Sequence, residues 1–93
     1  MPPRPLEIGP AGQAAAQAIT RLRATRGYSQ RRLADRVTDL GRPLTFTQLS
    51  RIERQVRRCD VDDLTAIAAA LGVAPQALLG HADAPLQGGS GGI

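Results

Sequence analysis

The sequence predicts an all-α fold, a compact bundle of five short helices, on three observations. Apolar residues recur at helical spacing in separate short segments. Each segment is bracketed by residues that start or stop helices, with tight turns between. The apolar set is aliphatic, with one Phe, one Tyr and no Trp among 93 residues, a palette suited to packed helices.

Helix 1 is predicted from Ala15, Ala18, Ile19 and Leu22, which share a face while Arg21, Arg23 and Arg26 fall elsewhere, and Gly27 stops it. Ser29 is a good N-cap for helix 2, Gln30 to about Thr38, whose apolar positions Leu33, Ala34 and Val37 form one stripe. A capping box would want Glu or Gln where Arg32 stands, so this cap is partial. Asp39 to Leu44 reads as a turn, because Gly41 is permissive and Pro43 lacks a donor and pushes Arg42 toward extended conformations. Thr45 and Gln48 fit a capping box for helix 3, about Phe46 to Arg54, with Leu49 and Ile52 inward. After a basic loop, Asp60 caps helix 4, with Asp62 and Asp63 favourable against its dipole. Leu64, Ile67, Ala68 and Leu71 are its buried stripe, and Gly72 ends it. Pro75 suits the first position of a short helix 5 running to Leu79.

The length allows one domain. Residues 1–12, with four prolines and two glycines, read as a flexible arm; residues 13–80 as the folded unit; and residues 81–93 as a flexible Gly-rich tail. The net charge of +4 is unevenly spread. Eleven of the twelve arginines lie between residues 21 and 58 against three carboxylates, whereas residues 59–93 hold four carboxylates and no base. The single cysteine, Cys59, rules out an internal disulfide, and no metal-ligand spacing accompanies it, so no metal and no cofactor are expected. Apolar stretches are too short to span a bilayer and no secretory pattern opens the chain, so the expected location is cytoplasmic. One His, one Cys and no phosphate-binding glycine loop leave no catalytic pair, and no enzyme is expected. Cys59 reads as a small filler and Tyr28 as a packed cover at the junction of helices 1 and 2.

Three runs in order, Ser29-Gln30-Arg31-Arg32-Leu33-Ala34, Leu49-Ser50-Arg51-Ile52-Glu53 and Ile67-Ala68-Ala69-Ala70-Leu71-Gly72-Val73, carry a resemblance. With Leu22, Arg23, Gly27, Leu64, Leu78 and Leu79 they make residues 14–80 similar to the Cro and lambda-repressor-like, or xenobiotic-response-element, helix-turn-helix family. The chain departs from that pattern in its turn: Leu33 and Ser50 stand seventeen positions apart, a longer connection than the family usually has. The extra residues belong at Thr38 to Leu44. Ala74, where the family often has a Ser or Thr cap, is a second departure.

The resemblance implies a transcriptional regulator, a repressor, that reads double-stranded DNA by laying helix 3 in the major groove. It places base contacts on Phe46, Thr47, Ser50 and Arg51. Arg51 alone among them can make a bidentate contact to guanine. Thr47 could meet a thymine methyl or an acceptor; Phe46 could meet a thymine methyl or fold over Leu40 or Leu44; and Gln48 is divided between capping and readout. Phosphate contacts fall to Ser29, Gln30 and the first amides of helix 2, with Arg31, Arg42, Arg54, Arg57 and Arg58 supplying charge. Arg36 lies farther along helix 2 and is left out of this set. The family commonly pairs Arg23 with Glu53 in a partly buried, structural salt bridge. A module this small implies a homodimer on two half-sites about one helical turn apart. The alternative is an antitoxin or accessory module with a protein as its main partner and DNA secondary, for which an exposed Leu78-Leu79 end is a candidate surface.

Overall fold

Pro10 opens the first helix. In the computed structural model, which describes residues 8–79, α1 spans Pro10–Thr25, with Gly9 extended at the N-cap and proline in the first turn. This is one turn earlier than the expected start at Gln13. Proline at a helix's first position costs no hydrogen bond and arrives with its φ preset, so the Pro-Gly stretch read as irregular is a helix start. Gln13 ties it down, its side chain donating to the Ile8 carbonyl at 2.9 Å and its backbone to that of Gly9 at 2.9 Å. Residues 1–7 and the expected tail at 81–93 lie outside the described residues.

α2 (Gln30–Asp39), α3 (Phe46–Glu53) and α4 (Val61–Leu71) follow, and no strand occurs among the described residues. The fifth helix is corrected to a single 3-10 turn, Pro75–Leu78. Ala74 gives it no side-chain cap, and its tight bonding, such as Ala77 N–H to Ala74 at 2.9 Å, closes a four-residue segment too short for an α-helical ladder. Leu78 is fully buried and Leu79 half-buried, so the apolar end considered as a protein-binding surface is largely spent on the core.

That core is aliphatic: Ile19, Leu33, Val37, Leu49, Ile52, Ile67, Leu71 and Leu78 are all at most 1% exposed. α4 packs on α1, α2 and the 3-10 turn, while α3 packs on α1 and α2. α4 lacks basic residues in its last turn, and its neighbours supply the charge that its negative end favours. Arg26 Nε donates to the Leu71 carbonyl, and Arg36 Nε to that of Ala70 at 3.2 Å.

The lengthened turn between α2 and α3 is held at four points. Gly41, at φ 109°, closes α2 with bonds from its own N–H to Thr38 and from Arg42 N–H to Val37. Thr38 Oγ1 donates to the Leu44 carbonyl (3.0 Å) and accepts from its N–H (3.1 Å), satisfying both backbone groups of one residue. The Leu44 side chain is then 4% exposed, plugged into the core. Arg42 reaches the first turn of α4, as described below. The extra residues thus form an anchored loop that delivers Thr45 to its capping box, which is formed with Gln48.

Among the described residues the four α-helices end in the same arrangement of two reversed backbone bonds, with a residue of positive φ at the turn: the one after the cap in α1, α2 and α3, and the cap itself in α4. At α1, α2 and α4 that residue is glycine; at α3 it is Gln55, φ 64°. A side chain there costs about 1 kcal/mol or more. Gln55→Gly is therefore expected to stabilise the domain by roughly 0.5–1 kcal/mol after the added freedom of the unfolded chain is subtracted. A thermal melt checks this, and a lowered midpoint contradicts it.

Candidate nucleic-acid interface

The orientation of α3 follows from its apolar pair. Leu49 and Ile52 are fully buried, which turns Phe46, Thr47 and Arg51 outward; all three are exposed, and Ser50 between them is half-buried. Gln48 is committed to the cap: its side-chain oxygen accepts from Thr45 N–H at 2.9 Å while its own N–H donates to Thr45 Oγ1 at 3.0 Å. Four candidate readers therefore share one outward surface, and the capping bonds fix the end of the helix that carries them.

At the start of α2, Ser29 Oγ accepts from Arg32 N–H at 3.0 Å. The amides of Gln30 and Arg31 precede any position that can bond within the helix, and they add partial positive charge at this end. The Gln30 side chain is partly used: its Nε2 donates to Glu53 Oε1 at 3.0 Å. Arg54 and Arg58 are exposed and make no ion pair among the described residues.

Glu53 ties three helices together. Arg23 of α1 meets it with two parallel bonds, Nε to Oε2 at 2.8 Å and Nη2 to Oε1 at 3.0 Å, with the side chains 18% and 5% exposed. Thr20 Oγ1 adds a bond at 3.1 Å and Gln30 adds the one above, while Arg23 Nη1 also donates to the Tyr28 carbonyl at 2.9 Å. The family resemblance implies the ion pair but not Thr20 or Gln30 as partners of Glu53, because only the packing of α1 and α2 against α3 brings those two side chains beside it.

Two arginines expected at phosphate are engaged inside the chain. Arg42 Nε donates to Asp63 at 3.1 Å and its Nη2 reaches Asp60 at 3.2 Å; Arg57 Nη1 reaches Asp63 at 3.4 Å. Asp63 is 1% exposed, a carboxylate at a position of α4 where sequence reading sees only a first-turn charge. It also completes a capping box with Asp60, accepting from Asp60 N–H at 3.3 Å while its own N–H donates to Asp60 at 2.7 Å. A buried carboxylate demands such partners, and these two guanidinium groups supply them. The backbone N–H of Asp63 holds the Asp60 carboxyl below its ordinary value of 3.8, with Arg42 and Arg57 assisting. Its contribution to stability is therefore complete above that value and is lost as pH falls through the lower folded value. Beside this cluster Cys59 is half-buried; burial first, then the charges of Asp63 and Asp60, push its thiol up to about 12, which keeps it protonated and unreactive.

Aromatic rings meet three arginines of α2, Arg31, Arg32 and Arg36. Tyr28 is half-buried against the core, with the Arg36 guanidinium 4.9 Å and that of Arg32 5.5 Å from its ring centre. The Phe46 ring, 39% exposed, is met by the Arg31 guanidinium at 4.7 Å. Among the described residues no helix is long and apolar enough to cross a membrane, and no group of three His, Cys, Asp or Glu side chains gathers to hold a metal ion.

Residues 19–78 match the model of a family described as helix-turn-helix. A solved structure described as a hypothetical transcription factor, NHTF, from Neisseria is similar over 85% of each chain, with 28% identity and a TM-score of 0.68. No curated protein matches.

Proposed function

Because this chain belongs to the lambda-repressor-like (xenobiotic-response-element) helix-turn-helix family, a class of DNA-binding regulators, we propose that it is a sequence-specific transcriptional repressor that lays α3 in the major groove. The observation that carries this reading is the outward surface of α3, where Phe46, Thr47, Ser50 and Arg51 stand opposite the buried Leu49 and Ile52. Arg51 is the guanine reader, its planar fork matched to O6 and N7; Thr47 and Phe46 suit thymine methyls. Ser29, Gln30 and the first amides of α2 take a phosphate, and Arg54 and Arg58 supply flanking charge. Arg42 and Arg57 drop from the direct contacts, because Asp60 and Asp63 hold them. A single α3 offers few base contacts, so the chain acts as a homodimer on two half-sites.

The test is a titration against a duplex recovered by selection from random DNA, with a scrambled duplex as competitor. Specific binding is expected to fall steeply with salt yet survive the competitor. Arg51→Ala is expected to lose preference at one guanine by roughly 5- to 150-fold, with an unchanged melting midpoint. Equal affinity of the native chain for selected and scrambled duplexes would refute the reading.

A further inference from the structure

We infer that Arg31 is a second guanine-reading residue, held in place by Phe46, and not a phosphate contact. The inference rests on the proposed placement of α3 in the major groove and extends it to a residue of the neighbouring helix. Arg31 stands on the first turn of α2, where a charge would ordinarily serve the backbone, as its position in the sequence suggests. Its guanidinium lies elsewhere: 4.7 Å from the centre of the Phe46 ring, over the first residue of α3. The charge of one helix is thus delivered to the groove-facing end of the other.

Contact with an aromatic ring gives the guanidinium no oxygen acceptor, so its N–H donors stay available as the fork that guanine O6 and N7 accept. The Arg31 side chain makes no hydrogen bond or ion pair among the described residues, unlike those of Arg23, Arg26, Arg36, Arg42 and Arg57. It therefore keeps its donor set for a ligand, and the ring limits where that set points. Phe46 is then a positioning residue as well as an apolar surface. Arg31 and Arg51 belong to different helices and meet the first and last turns of α3, so the guanine read by Arg31 is distinct from the one read by Arg51.

The two roles separate in one experiment: site selection from random DNA with the native chain, Arg31→Ala, Arg51→Ala and Phe46→Leu, together with the salt dependence of binding to the selected duplex. Arg31→Ala is expected to flatten preference at one guanine by roughly 5- to 150-fold. That guanine differs from the one lost with Arg51→Ala, and the preference at other positions is retained. Phe46→Leu, which keeps an apolar side chain but removes the ring, is expected to weaken preference at the same guanine as Arg31→Ala. A phosphate contact gives another result: Arg31→Ala weakens binding to all sequences alike and lowers the salt slope by about 1, which overturns the inference. If the native chain selects no site at all, the reading of α3 falls and this inference with it. If it selects a site that Arg31→Ala reads unchanged, the inference alone falls.

Discussion

Glu53→Ala is expected to destabilise the domain by about 3 kcal/mol, the lower end of the range for breaking a buried ion pair, because Arg23 keeps 18% exposure. The substitution strands more than one partner. Arg23 loses both of its bonds to the carboxylate, and the side chains of Thr20 and Gln30 each lose an acceptor. For a domain of this size the melting midpoint should fall by roughly 12–24 °C. The effect is one of an orphaned charge more than of a lost attraction, and that can be checked. The double substitution Arg23→Met with Glu53→Met removes both charges and is expected to be more stable than Glu53→Ala alone. A midpoint within a few degrees of the native chain in the single variant would contradict the role of Glu53 as the junction of α1, α2 and α3.

Asp63→Ala is expected to produce two opposite changes. Stability falls by about 2 kcal/mol: one half of the α4 capping box is lost and a buried acceptor disappears, although Arg42 and Arg57, at 36% and 32% exposure, can regain water. Affinity for random DNA rises. The same two guanidinium groups lose their buried anchor and become available to phosphates beside α3, so the salt slope of non-specific binding should steepen by roughly 1 to 2. Thermal melts and salt titrations on a scrambled duplex measure the two effects separately. A destabilised variant with an unchanged salt slope would mean that Arg42 and Arg57 lie out of reach of the DNA in either state.

The helices were legible where local chemistry decides them. Ser29, Thr45 and Asp60 mark three N-caps, Gly27 and Gly72 mark two ends, and the inward pair Leu49 and Ile52 fixes which face of α3 looks out. What escaped sequence reading depends on contacts across the fold. Asp63 reads as a solvated first-turn acid until Arg42 and Arg57, 21 and 6 residues away along the chain, are seen to close on it. Gln30 reads as a phosphate ligand alone, whereas its side chain also donates to Glu53 and joins α2 to α3. Gln55 carries no sign of its left-handed backbone, since the residue that usually announces one is glycine. The lengthened turn showed as an irregular insertion, and only the three-dimensional pairing of Thr38 with Leu44 explains why it is ordered.

Methylation protection at guanine N7 addresses the outward presentation of α3 directly, because that atom is open to reagent only through the major groove. With the chain bound to its selected duplex, at least one guanine in each half-site should be shielded and become reactive again when Arg51→Ala replaces the native chain at saturating concentration. A saturated complex in which every guanine N7 stays reactive would contradict it, as would shielding that Arg51→Ala leaves intact.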